Sequence, residues 1–107
     1  MSTTRNVNRD RFADQVDIHS FLGASFEATV GATSTSITVS SSCEKVLVHC
    51  RNNPILFRVG MGPQTAIATD HFIANGETRT FRVPPGATLA FIRHGSSDGI
   101  INVSEML

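Results

Sequence analysis

Between Ile55 and Glu105 short apolar runs alternate with turn signals at nearly even intervals. The stretch reads ILFRVGMGPQTAIATDHFIANGETRTFRVPPGATLAFIRHGSSDGIINVSE, punctuated by Gly60-Met61-Gly62-Pro63, Asn75-Gly76, Pro84-Pro85-Gly86 and Asp98-Gly99. Strands spaced roughly 8–12 residues apart with turn chemistry between them build antiparallel sandwiches or barrels. The expected fold class is therefore all-β, an antiparallel β-sandwich.

Within that stretch and just before it, side chains alternate as a pleated strand requires. Lys45–Cys50 sets Val46, Val48 and Cys50 against Leu47 and His49. The turn Arg51-Asn52-Asn53-Pro54 follows, and Pro54 disfavours helix at Asn53. A hairpin is expected between this strand and the next, which carries Ile55, Phe57 and Val59 on one face. Gln64–Ala68 and His71–Ala74 read as edge or loop-like pieces. Thr78–Val83 ends at Pro84. In Ala87–Arg93 both faces are partly apolar, as in a central strand, and Ile100–Val103 closes the set.

Upstream, Thr33–Ser42 alternates Thr35, Ile37 and Val39 with serine and threonine and reads as a half-buried strand. Val16–Phe21 and Phe26–Val30 are short apolar pieces. Met1 to Asp14 is polar and without periodicity. The expected organisation is an extended N-terminal arm over 1–14 and one sandwich over 15–107.

At 107 residues the chain matches one domain with a modest core, so help from a partner subunit is expected. Seven Phe supply the aromatic packing, because Trp and Tyr are absent. Formal charge is zero, which removes the cationic excess that nucleic-acid binding relies on. Eight of the nine basic residues are Arg, the residue suited to planar contacts across interfaces. No secretory leader is expected from the polar Met1–Gln15, and no apolar stretch approaches a membrane span. Cys43 and Cys50 do not make a disulfide framework, and Cys50 reads as a small buried hydrophobe, consistent with synthesis in a reducing cytosol.

No catalytic set emerges. Among His19, His49, His71 and His94 none pairs at short ligand spacing, so isolated histidines are expected rather than a metal centre. No serine lies in a G-x-S-x-G elbow, and His49 and Cys50 are strand neighbours that point to opposite faces. Asp70, Glu77, Asp98 and Glu105 sit in or beside turns, where carboxylates are solvated or make local hydrogen bonds. Gly60-Met61-Gly62 lacks the later glycine and the helix of a phosphate loop.

Gly76-Glu77 followed by Pro84-Pro85-Gly86 resembles part of a cupin jelly roll. In cupins a metal-binding His follows that turn, whereas Leu89 occupies the corresponding position here, and the chain has no H-x-H. A small cupin-like enzyme or metal-binding protein is therefore not the leading expectation. No enzymatic activity and no cofactor are expected.

From about Val46 onward the order of elements resembles small decoration or cement proteins of tailed-phage heads. The resemblance rests on Asn52-Asn53-Pro54, a strand with Phe57, the spacing Asp70–Ile73–Gly76, the turn Val83-Pro84-Pro85-Gly86-Ala87 and a last strand Gly99–Ser104. It implies a jelly roll or related sandwich, made in the host cytoplasm and placed on the capsid exterior of the virion. There it would clamp neighbouring major capsid subunits. The implied partners are the major capsid protein and copies of this chain, a dimer ahead of a trimer on symmetry grounds, with neither nucleic acid nor membrane. Arg5, Arg9, Arg11 and Phe12 of the arm are the expected capsid- or partner-binding residues. Another virion role, as head-fibre base, tail component or glycan-binding module, is the alternative. Against a sugar site stands the lack of Trp and Tyr, on which sugars stack.

Overall fold

The computed structural model describes residues 22–106. Within them the chain forms eight strands and no helix. They are β1 Leu22–Val30, β2 Thr35–Thr38, β3 Lys45–Arg51, β4 Ile55–Gly60, β5 His71–Ile73, β6 Thr78–Arg82, β7 Thr88–Arg93 and β8 Gly99–Met106. Two antiparallel four-stranded sheets result, ordered β1-β8-β3-β6 and β2-β7-β4-β5. The fold is thus the all-β sandwich that the even turn spacing predicts. The arm over 1–14, with Arg5, Arg9, Arg11 and Phe12, and the piece Val16–Phe21 lie outside the described residues.

The pairing is nested: β1 with β8, β2 with β7, β3 with β6 and β4 with β5. Every connection except β4–β5 carries the chain from one sheet to the other. This corrects the hairpin expected at Arg51–Pro54, since β3 and β4 belong to opposite sheets. The turn is a corner rather than a hairpin loop. Asn52 takes the left-handed conformation (φ 77°), which Asn tolerates better than most residues. Asn53 then anchors the bend, accepting the Cys50 thiol hydrogen at 3.0 Å and donating Nδ2–H to the Asp98 carbonyl at 2.9 Å.

Sequence alternation becomes layering. In β8 buried and half-exposed residues alternate along the whole strand, and β3 does the same up to Cys50. Their inward set, Val46, Val48, Cys50, Ile101 and Val103, meets Ile55, Phe57, Ile73, Leu89 and Phe91 from the other sheet in one apolar core. The outward face of the first sheet is polar: Glu27, Asn102, His49 and Thr78 form a row straight across its four strands. Glu105 departs from its expected solvated setting. It is buried in β8 and accepts the Ser40 N–H at 2.9 Å and the Ser40 hydroxyl at 3.0 Å, tying the β2–β3 loop to the last strand.

β4 and β7 are buried on both faces over part of their length. Leu56 and Ala90 are buried yet stand apart from the central core, on the faces of β4 and β7 opposite to Ile55, Phe57, Leu89 and Phe91. The segment 61–70 joins the adjacent strands β4 and β5 but reaches the start of β2, where the Ala66 N–H donates to Oγ of the preceding Ser34 at 2.9 Å. Asp70 fastens its far end, accepting from Arg58 at 3.1 Å and from the Ile67 N–H at 2.7 Å. Gln64–Ala68, expected as an edge or loop-like piece, is loop: part of a strap across the sheet.

Candidate functional site

Among the described residues β5 and β6 form the two sheet edges on one side of the sandwich. β5 has three residues and, among the described residues, pairs only with Ile55–Phe57 of β4. Beyond Phe57, β4 has no strand on that side among the described residues. Phe57, Val59, His71, Arg79 and Phe81 line an open cleft there of about 300 Å3.

Alternation in two strands of different sheets builds this cleft. Phe57 and Val59 are two apart on β4, and Arg79 and Phe81 are two apart on β6, so each pair shares one face. Phe81 stacks on Phe57 with ring centres 5.2 Å apart and planes at 26°. The His71 ring sits 5.3 Å from Phe57 at 43°. The Arg79 guanidinium lies over the Phe57 ring at 6.0 Å, at the outer limit of cation–π range.

Arg79 is held in place by neighbours. Its Nη2 donates to Glu77 Oε2 at 2.8 Å and to the Phe72 carbonyl of β5 at 3.0 Å, so the side chain bridges the two edges. Glu77 also accepts the Ala74 N–H at 2.9 Å. That backbone hydrogen bond, and then Arg79, hold the Glu77 carboxyl below its usual range. The result is an aromatic floor with a fixed cation at its rim, which suits recognition of an apolar side chain beside a carboxylate. Among the described residues no Ser, Thr or Cys lines it.

The remaining sequence candidates sit apart. His49 pairs with Thr78 on the outer face (Nδ1 to Oγ1, 2.7 Å), while Cys50 beside it points into the core, as strand geometry requires. Burial pushes the Cys50 thiol pKa up, the opposite of what a reactive cysteine needs. His94 packs edge-on against Phe72 at 5.0 Å. Leu89 is fully buried among apolar side chains. Among the described residues no three His, Cys, Asp or Glu side chains cluster to hold a metal, and no helix is long and apolar enough to cross a membrane.

Sequence reasoning placed Phe57 and Phe81 on strands but did not bring them together. They are far apart in the chain and on different sheets, so only the topology makes them neighbours. The available signal was two same-face pairs, Phe57/Val59 and Arg79/Phe81, each ending in a partly exposed residue.

Comparison of the chain with protein-family models, with curated proteins and with solved structures finds no match.

Proposed function

We propose that this chain is a structural virion protein that binds the outside of a tailed-phage head and clamps neighbouring major capsid subunits. The observation that carries the reading is the nested pairing of eight strands across two sheets. Such nesting supports reading the sandwich as a jelly roll, an architecture that recurs in viral capsid and lectin domains and in cupins. Within that group the packed interior favours a structural role. Leu89, Phe91, Ile55 and Ile73 fill the space between the sheets where a cupin would keep its ligands.

A clamp acts through area buried across subunit joints, multiplied by avidity when several copies are linked. The polar outer face of the first sheet and the exposed Leu22, Met61, Ile67 and Phe72 offer such area. The arginines of the arm, Arg5, Arg9 and Arg11, are assigned to capsid contact, and self-association is expected to give a dimer before a trimer.

Co-sedimentation tests the reading. Purified protein added to heads that lack it should pellet with them at a saturating, fixed ratio. Protein that stays in the supernatant at every concentration, or that binds isolated tails instead, contradicts it.

A further inference from the structure

We propose that Asn75 is a modification site gated by the fold. Its side-chain amide is lost to attack by the Gly76 backbone nitrogen only when the turn 74–77 lets go of β3, and the product weakens the Arg79 rim of the cleft. The proposal stands independently of the capsid reading, because every reacting group except water belongs to this chain.

Asn75-Gly76 is the one Asn-Gly pair in the sequence. Asparagine is chemically labile, and most so before glycine, where no side chain hinders the backbone nitrogen. That nitrogen gives up its proton to solvent base and attacks Asn75 Cγ. The N–Cγ bond forms, the Cγ–Nδ2 bond breaks, and Nδ2 takes up a proton and leaves as ammonia. Water then opens the cyclic imide at either carbonyl, leaving aspartate or isoaspartate at position 75. Asn75 is exposed, so water and base reach it.

The fold holds the nucleophile back. Gly76 N–H donates to the Cys50 carbonyl at 2.8 Å and Cys50 N–H donates to the Glu77 carbonyl at 3.0 Å, so the turn continues the β3–β6 ladder. Glu77 N–H closes the turn on the Ala74 carbonyl at 3.0 Å. Gly76 takes φ 84° at the second central position and Asn75 does not take a positive φ, the pattern of a type II turn. Glu77 Oε1 accepts the Ala74 N–H at 2.9 Å and ties the two ends a second time. Ring closure turns the Asn75–Gly76 peptide plane out of this arrangement and takes the Gly76 proton from Cys50, a residue of the core. Reaction therefore waits for an opening that breaks these bonds together.

The product cannot lock again in the same way. Isoaspartate routes the main chain through the side-chain carbon, which lengthens it, so the Gly76–Cys50 and Glu77–Ala74 bonds lose their register. Aspartate places a second carboxylate two residues from Glu77, whose own carboxylate holds Arg79 at 2.8 Å. Arg79 in turn donates to the Phe72 carbonyl at 3.0 Å. A brief opening thus leaves a lasting change in the link between β5 and β6.

Peptide mapping of the full chain, incubated folded and in denaturing urea, tests this by the conversion of Asn75 to aspartate and isoaspartate. The folded chain should convert at least about tenfold more slowly, because several backbone hydrogen bonds must open at once. Glu77→Ala removes the acceptor of the Ala74 N–H and should bring the folded rate several-fold nearer the unfolded one. Glu77→Gln keeps an acceptor there and should stay close to the parent. In urea below the unfolding transition, the parent's rate should rise much less steeply than its unfolded fraction. Converted chain, separated from parent by charge, should exchange the amides of residues 78–82 faster while those of Val46 and Val103 stay protected. Four results overturn the proposal. One is equal conversion in the folded and unfolded chains. Another is a folded Glu77→Ala variant that converts no faster than the parent. The third is a rate that tracks the unfolded fraction through the transition, which would make global unfolding the gate. The fourth is equal exchange across residues 78–82 before and after conversion.

Discussion

Glu105 accepts two hydrogen bonds from Ser40, one from its backbone N–H and one from its hydroxyl, while lying almost wholly out of solvent. Bonds to a charged acceptor are stronger than neutral ones, and here they are the side-chain tie between β8 and the loop that leads into β3. Glu105→Ala should cost about 2 kcal/mol of stability, measured by urea denaturation. Ser40→Ala removes one of the two bonds and should cost about half as much.

The two phenylalanines of the interior and of the cleft should separate cleanly. Phe91 is fully buried at the centre of the core, so Phe91→Ala should cost about 3–5 kcal/mol and bring a domain of this size close to unfolding. Phe81 is half-buried and stacked on Phe57, so Phe81→Ala should cost only about 1–2 kcal/mol. Thermal melts of the two variants provide the check.

Glycines should differ according to what faces them. A Cβ at Gly99 would stand 2.6 Å from the Asn53 carbonyl oxygen and 2.8 Å from Ile55, with backbone on one side and core on the other. Gly99→Ala should therefore destabilise by about 2 kcal/mol through overpacking at the corner. Gly95 has nothing within 4 Å of its virtual Cβ. Gly95→Ala should stay within about 0.5 kcal/mol of the parent.

Acid should loosen the cleft rim before the core. The Glu77 carboxyl is held low by the Ala74 N–H and by Arg79. Its stabilising contribution is therefore present above the unfolded carboxyl value, about 4.3, and is lost as pH falls through the lower folded value. Glu77→Gln should flatten that part of the acid limb, read as the pH dependence of Arg79 side-chain resonances.

At the alkaline end Cys50 acts with the opposite sign. Burial raises its thiol pKa, so the stability it contributes is full below the unfolded thiol value, about 8.5, and declines as pH rises towards the folded value. Both Cys43 and Cys50 are buried. A thiol reagent at neutral pH should modify them only as fast as the protein opens, and fully in denaturant.

Sequence patterning made some of this legible and left the rest hidden for physical reasons. Val46, Val48 and Cys50 were readable as an inward face because strand alternation is local. The turn at Pro84-Pro85-Gly86 was readable because Pro ends a strand and Gly86 takes φ 76°. The corner at Asn52-Asn53 was misread as a hairpin, because a turn signal does not say in which sheet the next strand will pair. Glu105 was misread because a carboxylate's burial depends on Ser40, far along the chain. The cleft was invisible for the same reason: Phe57 and Phe81 meet only across the two sheets.

The proposed capsid role is tested most directly by electron cryo-microscopy of particles assembled from the genome that encodes this chain, with the gene intact and deleted. The expected result is a two-sheet density on the head exterior, seated over joints between major capsid subunits and missing from the deletion particles. Identical head surfaces in the two maps, or the extra density confined to the tail, would contradict it.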